Sequence, residues 1–281
     1  MTTVPTATTN GRPALIYSDQ TAFDGPREVV GYGTDTFYVK MMDRRLANDI
    51  IKQNHYSGKI YAGTKLHLGV YAPTLLGVLQ YGVAMNPASQ ASVVEGTKGD
   101  EYLELNRMWL DESLPRNSES MAVSYSIHFI KHSKHFHQVA WIQSFADEKC
   151  GKFGVVYQAC NFLYCGCHWA TWWEIEGEMV HNSILTRSPD LCPKAKAAQA
   201  KADLAKPSKR RQFRYIFFIK HKFRKRLLKK VEPYPKYASE VSMVTRATPS
   251  GEGGVQFSDD APIKPKLPKP KLHVVNQPVL W

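Results

Sequence analysis

Three short stretches carry side chains able to do chemistry. They are Asn54-His55-Tyr56-Ser57-Gly58, the loop Pro115-Arg116-Asn117-Ser118-Glu119-Ser120, and Ser144-Phe145-Ala146-Asp147-Glu148. An imidazole exchanges protons near neutral pH, a phenol donates one or stacks on a base, and a carboxylate accepts one. The hydroxyl-rich loop precedes an apolar run from Met121. Ser120 would cap a helix there, and the free N–H groups and partial positive charge of the helix start suit a pyrophosphate, with Arg116 adding a two-pronged contact. Asp147, at the end of an apolar strand, stands where open α/β sheets face their ligands. Tyr157, just inside the next helix, would reach the same crevice. Each feature also has a plainer reading, as an ordinary capped helix, polar loop or turn cap. Cys160, Cys165, Cys167 and His168 lack the second short pair that a structural zinc site shows, so they read as small residues beside Trp169, Trp172 and Trp173.

The elements that would position these groups follow from periodicity. Asp43 to Gln53 spaces Leu46, Ile50 and Ile51 as a helix behind a capping Asp. Lys65–Tyr71 alternates and turns at Ala72-Pro73-Thr74 into Leu75–Ala84, a hairpin. Leu103–Leu110 reads as a strand, Met121–His132 as a buried helix, Val139–Phe145 as a strand and Gly154–Phe162 as a short helix. Trp169–Ile175 and Tyr215–Ile219 complete the sheet, with the Ala/Lys-rich segment Pro193–Ser208 bridging them. Ser124 and Ser126, on the buried helix, are expected to be core hydrogen-bonders. An antiparallel start followed by alternation gives an α/β (α+β) class, a mixed, mostly antiparallel central sheet with flanking helices. Residues 1–14 are expected to be an unstructured tail, 15–242 a single domain, and 243–281 a Pro/Lys-rich flexible tail.

At 281 residues and 43% hydrophobic content the chain can bury a core without staples, and its five cysteines argue for reduced thiols. No apolar run is long enough to span a membrane, and Met1–Ala14 lacks a signal-peptide layout, so a cytoplasmic protein is expected. The net charge of +12 is regional: residues 194–230 hold fifteen Lys or Arg and one acid, Asp203. Such a block suits a polyanion. Lys209, Arg210, Arg211, Arg214, Lys220, Lys222, Arg224, Lys225 and Arg226, interleaved with aromatics, are its candidate DNA contacts.

The blocks NHYSGK, ELNRMWLDESLPRNSESMA, WIQSFADEKCGKFGVVYQACNFLY and RYIFFIK followed by PYPK resemble the Mom family of phage DNA-modification proteins, over about residues 38–237. The resemblance implies a fold similar to GCN5-related N-acetyltransferases, with acetyl-CoA or a related acyl-CoA between splayed central strands. It implies conversion of adenine in double-stranded DNA to a methylcarbamoyl (acetamido) form on the exocyclic amine, in the cytoplasm of an infected bacterium, shielding phage DNA from restriction. By position it assigns function to His55, Tyr56, Arg107, Ser120, Asp147 and Tyr157. Arg116, Asn117 and Ser118 would join Arg107 and Ser120 at the cofactor, although Ser118 and Ser120 stand where acetyltransferases carry glycines. An iron ion on His55, Tyr56 and Asp147 is a further implication, and a homodimer is left open. Two other readings fit the residues: an acyl-CoA-dependent N-acyltransferase acting on a protein or small amine, and a non-catalytic DNA-binding module.

Overall fold

The computed structural model describes residues 8–9, 11–18, 27–148, 153–186, 188, 190 and 193–235. The described residues form two compact units, one within 8–167 and 213–235, the other within 168–212. The basic stretch 194–230 is divided between them.

The first unit opens with an antiparallel meander: β1 (Thr8–Thr9), β2 (Arg12–Tyr17), β3 (Val29–Gly33) and β4 (Tyr38–Met41) pair in chain order. Part of the stretch 1–14, expected to lack structure, is thus sheet, because the β-prone Leu15-Ile16-Tyr17 pairs with β3 and buries Ile16. The helix α1 (Arg44–Asn54) starts as expected, with Asp43 accepting from the N–H groups of Arg45 and Leu46. The hairpin of β5 (Thr64–Tyr71) and β6 (Leu75–Gly82) follows, then β7 (Tyr102–Leu110), all antiparallel.

The helix α2 (Ser118–His132) returns the chain so that β8 (Trp141–Asp147) pairs parallel with β7. The helix begins before the expected Met121, and Ser120 is not its cap. Asn117 takes that place in the left-handed region at φ 72°, which asparagine tolerates, and Ser120 turns its hydroxyl back to the Asn117 carbonyl. Next come α3 (Val155–Ala159), shorter than expected, and β9 (Leu163–Ile175). In the second unit β9 pairs antiparallel with β10 (Glu178–His181), and α4 (Asn182–Leu185), α5 (Pro193–Ala200) and the start of β11 (Lys206–Phe218) follow. Strands β9 and β11 are thus longer than the sequence suggested: the 163–168 half of β9 is built largely of small residues and cysteines and the 206–212 half of β11 is polar, so neither has the aromatic density used to find them. Strand β11 lies next to β8, with β9 beyond it. Residues 243–281 lie outside the described residues.

Alternation gives the sheet of the first unit two different faces. On one, Leu66, Leu68, Leu79, Tyr81, Leu103, Leu105, Ile142, Phe213 and Tyr215 form the main core with Val123, Ile127 and Ile130 of α2. Ser126 is fully buried there and bonds Tyr81 and the Val123 carbonyl, as expected of a core hydroxyl. The opposite face carries Val78 and Trp109 under α1. Further along it, Tyr102, Trp141, Ile216 and Phe218 pack with Phe223 of the short helical turn His221–Arg226.

Candidate active site

Strands β7 and β8 are partners only from Tyr102 to Leu105 and from Trp141 to Ser144. Beyond that point β7 stays with β6 as far as Leu110, while β8 runs on without β7 to Asp147. A bulge marks the parting: Tyr81 faces Leu105 but Gln80 faces Arg107, so Asn106 is the extra residue. A bulge bends its strand and re-aims the side chains after it. Leu105 therefore belongs to the α2 face, whereas Arg107 and Trp109 point toward α1.

On the α2 face a pocket of about 460 Å³ is lined by Arg116, Asn117, Ser120, Met121, Ser124, Ile127, His128, Ala159, Cys160, Asn161 and Phe217. It lies against the first turn of α2. The Ser118 and Met121 N–H groups are taken by Pro115 and Asn117, leaving those of Glu119 and Ser120 for an incoming acceptor. Of the expected cofactor contacts, Arg116, Asn117 and Ser120 line this pocket. Ser118 does not: it is buried, and its hydroxyl donates to the Pro115 carbonyl at 2.7 Å, closing the loop from inside. The Cys160 thiol donates to the Ser120 carbonyl at 3.1 Å, and burial pushes it up to about 11, so it stays protonated at neutral pH. Tyr157 is buried below, in ring contact with Phe162 and Tyr215.

On the opposite face His55 ends α1 and stacks at 4.2 Å on Tyr56, whose side chain is 62% exposed. The Ser57 N–H donates to His55 Nδ1 at 3.2 Å, and the Ser57 hydroxyl lies 2.8 Å from the same atom. Burial, then the Arg107 guanidinium, lowers the imidazole to about 4. His55 is therefore neutral at physiological pH with its proton on Nε2, which makes it a donor and not the base expected from its type. Arg107 is held by the carbonyls of Lys59 and Asn106 at 3.1 and 2.7 Å, near the Tyr61 ring. Asp147 closes β8, half-buried, on this face by alternation.

The same face holds a carboxylate that sequence reasoning passed over. Glu104 accepts from Asn106 Nδ2 at 2.9 Å and from Gln143 Nε2 at 2.7 Å. Gln143 Oε1 in turn accepts from Arg214, whose guanidinium lies 4.7 Å from the Phe145 ring centre. The Arg214 guanidinium is thus engaged with β8. Arg226 is similarly engaged, donating to the Glu95 carbonyl and covering Phe223, and Lys220 donates to the Gln138 carbonyl. Lys222, Arg224 and Lys225 stay exposed on the turn that covers this face. Lys209 is exposed and Arg211 half-buried on β11 in the other unit, as is Arg210, whose side chain is not among those described.

One nitrogen of His55 is committed to Ser57, and among the described residues no group of three His, Cys, Asp or Glu is placed to hold a metal. Cys160, Cys165 and Cys167 are free thiols, and no helix among the described residues is long and apolar enough to cross a membrane.

Solved structures similar in outline include a ribosomal-protein-S5-alanine acetyltransferase from Vibrio fischeri, at 10% identity and TM-score 0.40 over 67% of this chain and 96% of that one. Another is NAA60 of Arabidopsis thaliana with a bisubstrate analogue, at 8% identity and TM-score 0.40 over 65% of this chain and 98% of that one. A relative of known sequence is far nearer: the methylcarbamoylase Mom of Escherichia phage Mu is 43% identical over 213 residues, 74% of this chain and 88% of its own length. The Mom protein family matches residues 36–236, a span that contains α1, the bulged β7, the start of α2 and the end of β8, and the chain belongs to that family.

Proposed function

We propose that this chain is a DNA-modifying transferase that places a methylcarbamoyl group on the exocyclic amine of adenine in DNA and so protects phage DNA from restriction in the host cytoplasm. The observation that carries this reading is the 43% identity to a methylcarbamoylase across 88% of that enzyme's length. The geometry supports it through the opening between β7 and β8. A donor can be held on the α2 side while a base is presented on the α1 side.

The donor-side residues fit an acyl-CoA. Arg116 and the N–H groups of Glu119 and Ser120 offer positive potential for phosphates beside a pocket of about 460 Å³. When bound, such a cofactor would supply an acyl carbon activated as a thioester. Simple acetyl transfer would join the amine to a carbonyl carbon as an amide, whereas a methylcarbamoyl group is joined through its CH2 carbon, so the complete reaction needs a further chemical step.

On the acceptor side, adenine's amine is a weak nucleophile because its lone pair is delocalised into the ring, and inside a duplex it is stacked and paired. Reaction requires extrusion of the base, orientation of the amine and removal of its proton. The exposed Tyr56 ring, braced on His55, is suited to replace lost stacking. His55 Nε2–H and Arg107 can donate to acceptor atoms of base or donor, and Asp147 is the candidate proton acceptor. Lys222, Arg224 and Lys225 would grip the phosphate backbone on the same face. Nucleoside analysis of DNA from cells expressing the chain tests the reading: a heavier deoxyadenosine supports it, and an unchanged nucleoside set removes it.

A further inference from the structure

Resting on the acceptor side of that reading, we propose that Glu104 reads the target amine: its carboxylate, set where β7 and β8 part, accepts an N–H of the exocyclic amine of the extruded base. The argument is one of donors and acceptors. Adenine's amine presents hydrogens, so its pocket must present lone pairs. The side chains joined around Glu104 present mostly hydrogens instead. Arg107, Arg214, Asn106 Nδ2 and Gln143 Nε2 are donors. Gln143 Oε1 is already taken by Arg214, and Asn106 Oδ1 is buried against the backbone of Gly82. Within this network the Glu104 carboxylate keeps the most acceptor capacity, since two oxygens with about four lone-pair sites receive one amide each.

Its placement agrees. Glu104 is paired with Gly82 on one side and Gln143 on the other, and is the last residue before the bulged pair Leu105-Asn106, so it stands in the sheet one residue short of the opening. It is half-buried and so still reachable. Amides on both sides fix its plane, as a group that must recognise a single N–H direction requires. Burial holds its carboxyl above the ordinary range against the pull of the two amides and of Arg214 and Arg107.

The test exchanges the network's polarity. In Glu104→Gln one amide N–H must face another, and modified deoxyadenosine in DNA from expressing cells is expected to fall about ten- to a hundredfold, the usual loss for a hydrogen bond to a charged group. The double variant E104Q/Q143E moves the carboxylate one strand over, where Arg214 still pairs with it and the inter-strand bond is kept with its direction reversed. Its unfolding temperature is expected to return to that of the unaltered chain while modification stays at the Glu104→Gln level. Restored modification in the exchange would show that only the network matters and would overturn the proposal. Glu104→Asp, measured per amount of folded protein, covers the case in which the exchange does not fold: it should retain clearly more modification than Glu104→Gln, and equal loss would overturn the proposal. An unaltered chain that modifies no deoxyadenosine would instead remove the function on which the proposal rests.

Discussion

His55 shows how a local hydrogen bond sets a residue's chemistry. Its type suggests a base, yet the Ser57 N–H fixes the tautomer and burial beside Arg107 keeps the ring neutral down to about pH 4. The stability consequence has a definite sign. Above the ordinary value of 6.5 the ring is neutral folded and unfolded and has no effect; between 6.5 and about 4 only the unfolded chain takes up the proton, so stability falls as pH falls through that window and levels off below it. The loss is on the order of 3 kcal/mol, from 6.5 to about 4 at about 1.4 kcal/mol per pKa unit. Urea unfolding from pH 7 to 4 should show it, and His55→Gln should be flatter over that window. His55, Tyr56, Arg116, Ser120 and Asp147 were legible in the sequence because loops and element ends advertise them, and Arg107 came through resemblance. Glu104 was not legible. In Leu103-Glu104-Leu105 it reads as the solvent side of a strand, and its partners Gln143 and Arg214 lie 39 and 110 positions away.

Among the elements, the bulged β7 does most to create the site. Pairing periodicity found the strand, and the apolar run found α2, but no residue type signals that β7 and β8 separate after Leu105 and Ser144; that follows from β6 holding β7 while β8 turns to β11. Even the start of α2 was misread by two to three residues, since an asparagine in the left-handed region leaves no side-chain cap to recognise. The bulge depends on close backbone approach at Gly82. A Cβ there would lie 2.2 Å from the Gly63 carbonyl oxygen, 2.7 Å from Thr64 Cα and 2.8 Å from Asn106 Oδ1. Two of these neighbours are backbone and cannot swing aside. Gly82→Ala should therefore destabilise the fold by about 1–3 kcal/mol, the usual range for overpacking, and reduce modification beyond the loss of folded protein by displacing Asn106 and Arg107. Thermal unfolding alongside nucleoside analysis separates the two effects.

For the whole molecule, the charge pattern was read correctly as regional, yet its division was invisible from sequence. Residues 194–230 look like one basic block. The fold distributes them over two units, engages Arg214 with β8 and Arg226 and Lys220 with carbonyls, and leaves Lys222, Arg224 and Lys225 exposed on the turn His221–Arg226. If these three cations contact phosphates, replacing all three with Ala should lower the slope of log affinity against log salt by about 2–3, at roughly 0.9 per duplex contact. Arg214→Ala should leave that slope unchanged. The central claim, that a base everted from DNA meets a donor through the opening between β7 and β8, is tested most directly by mass spectrometry of nucleosides from DNA of cells expressing the unaltered chain beside Asp147→Ala. The account predicts deoxyadenosine heavier by one carbamoylmethyl group with the unaltered chain and little or none with Asp147→Ala. Unmodified deoxyadenosine from cells that contain the folded, unaltered chain would contradict it.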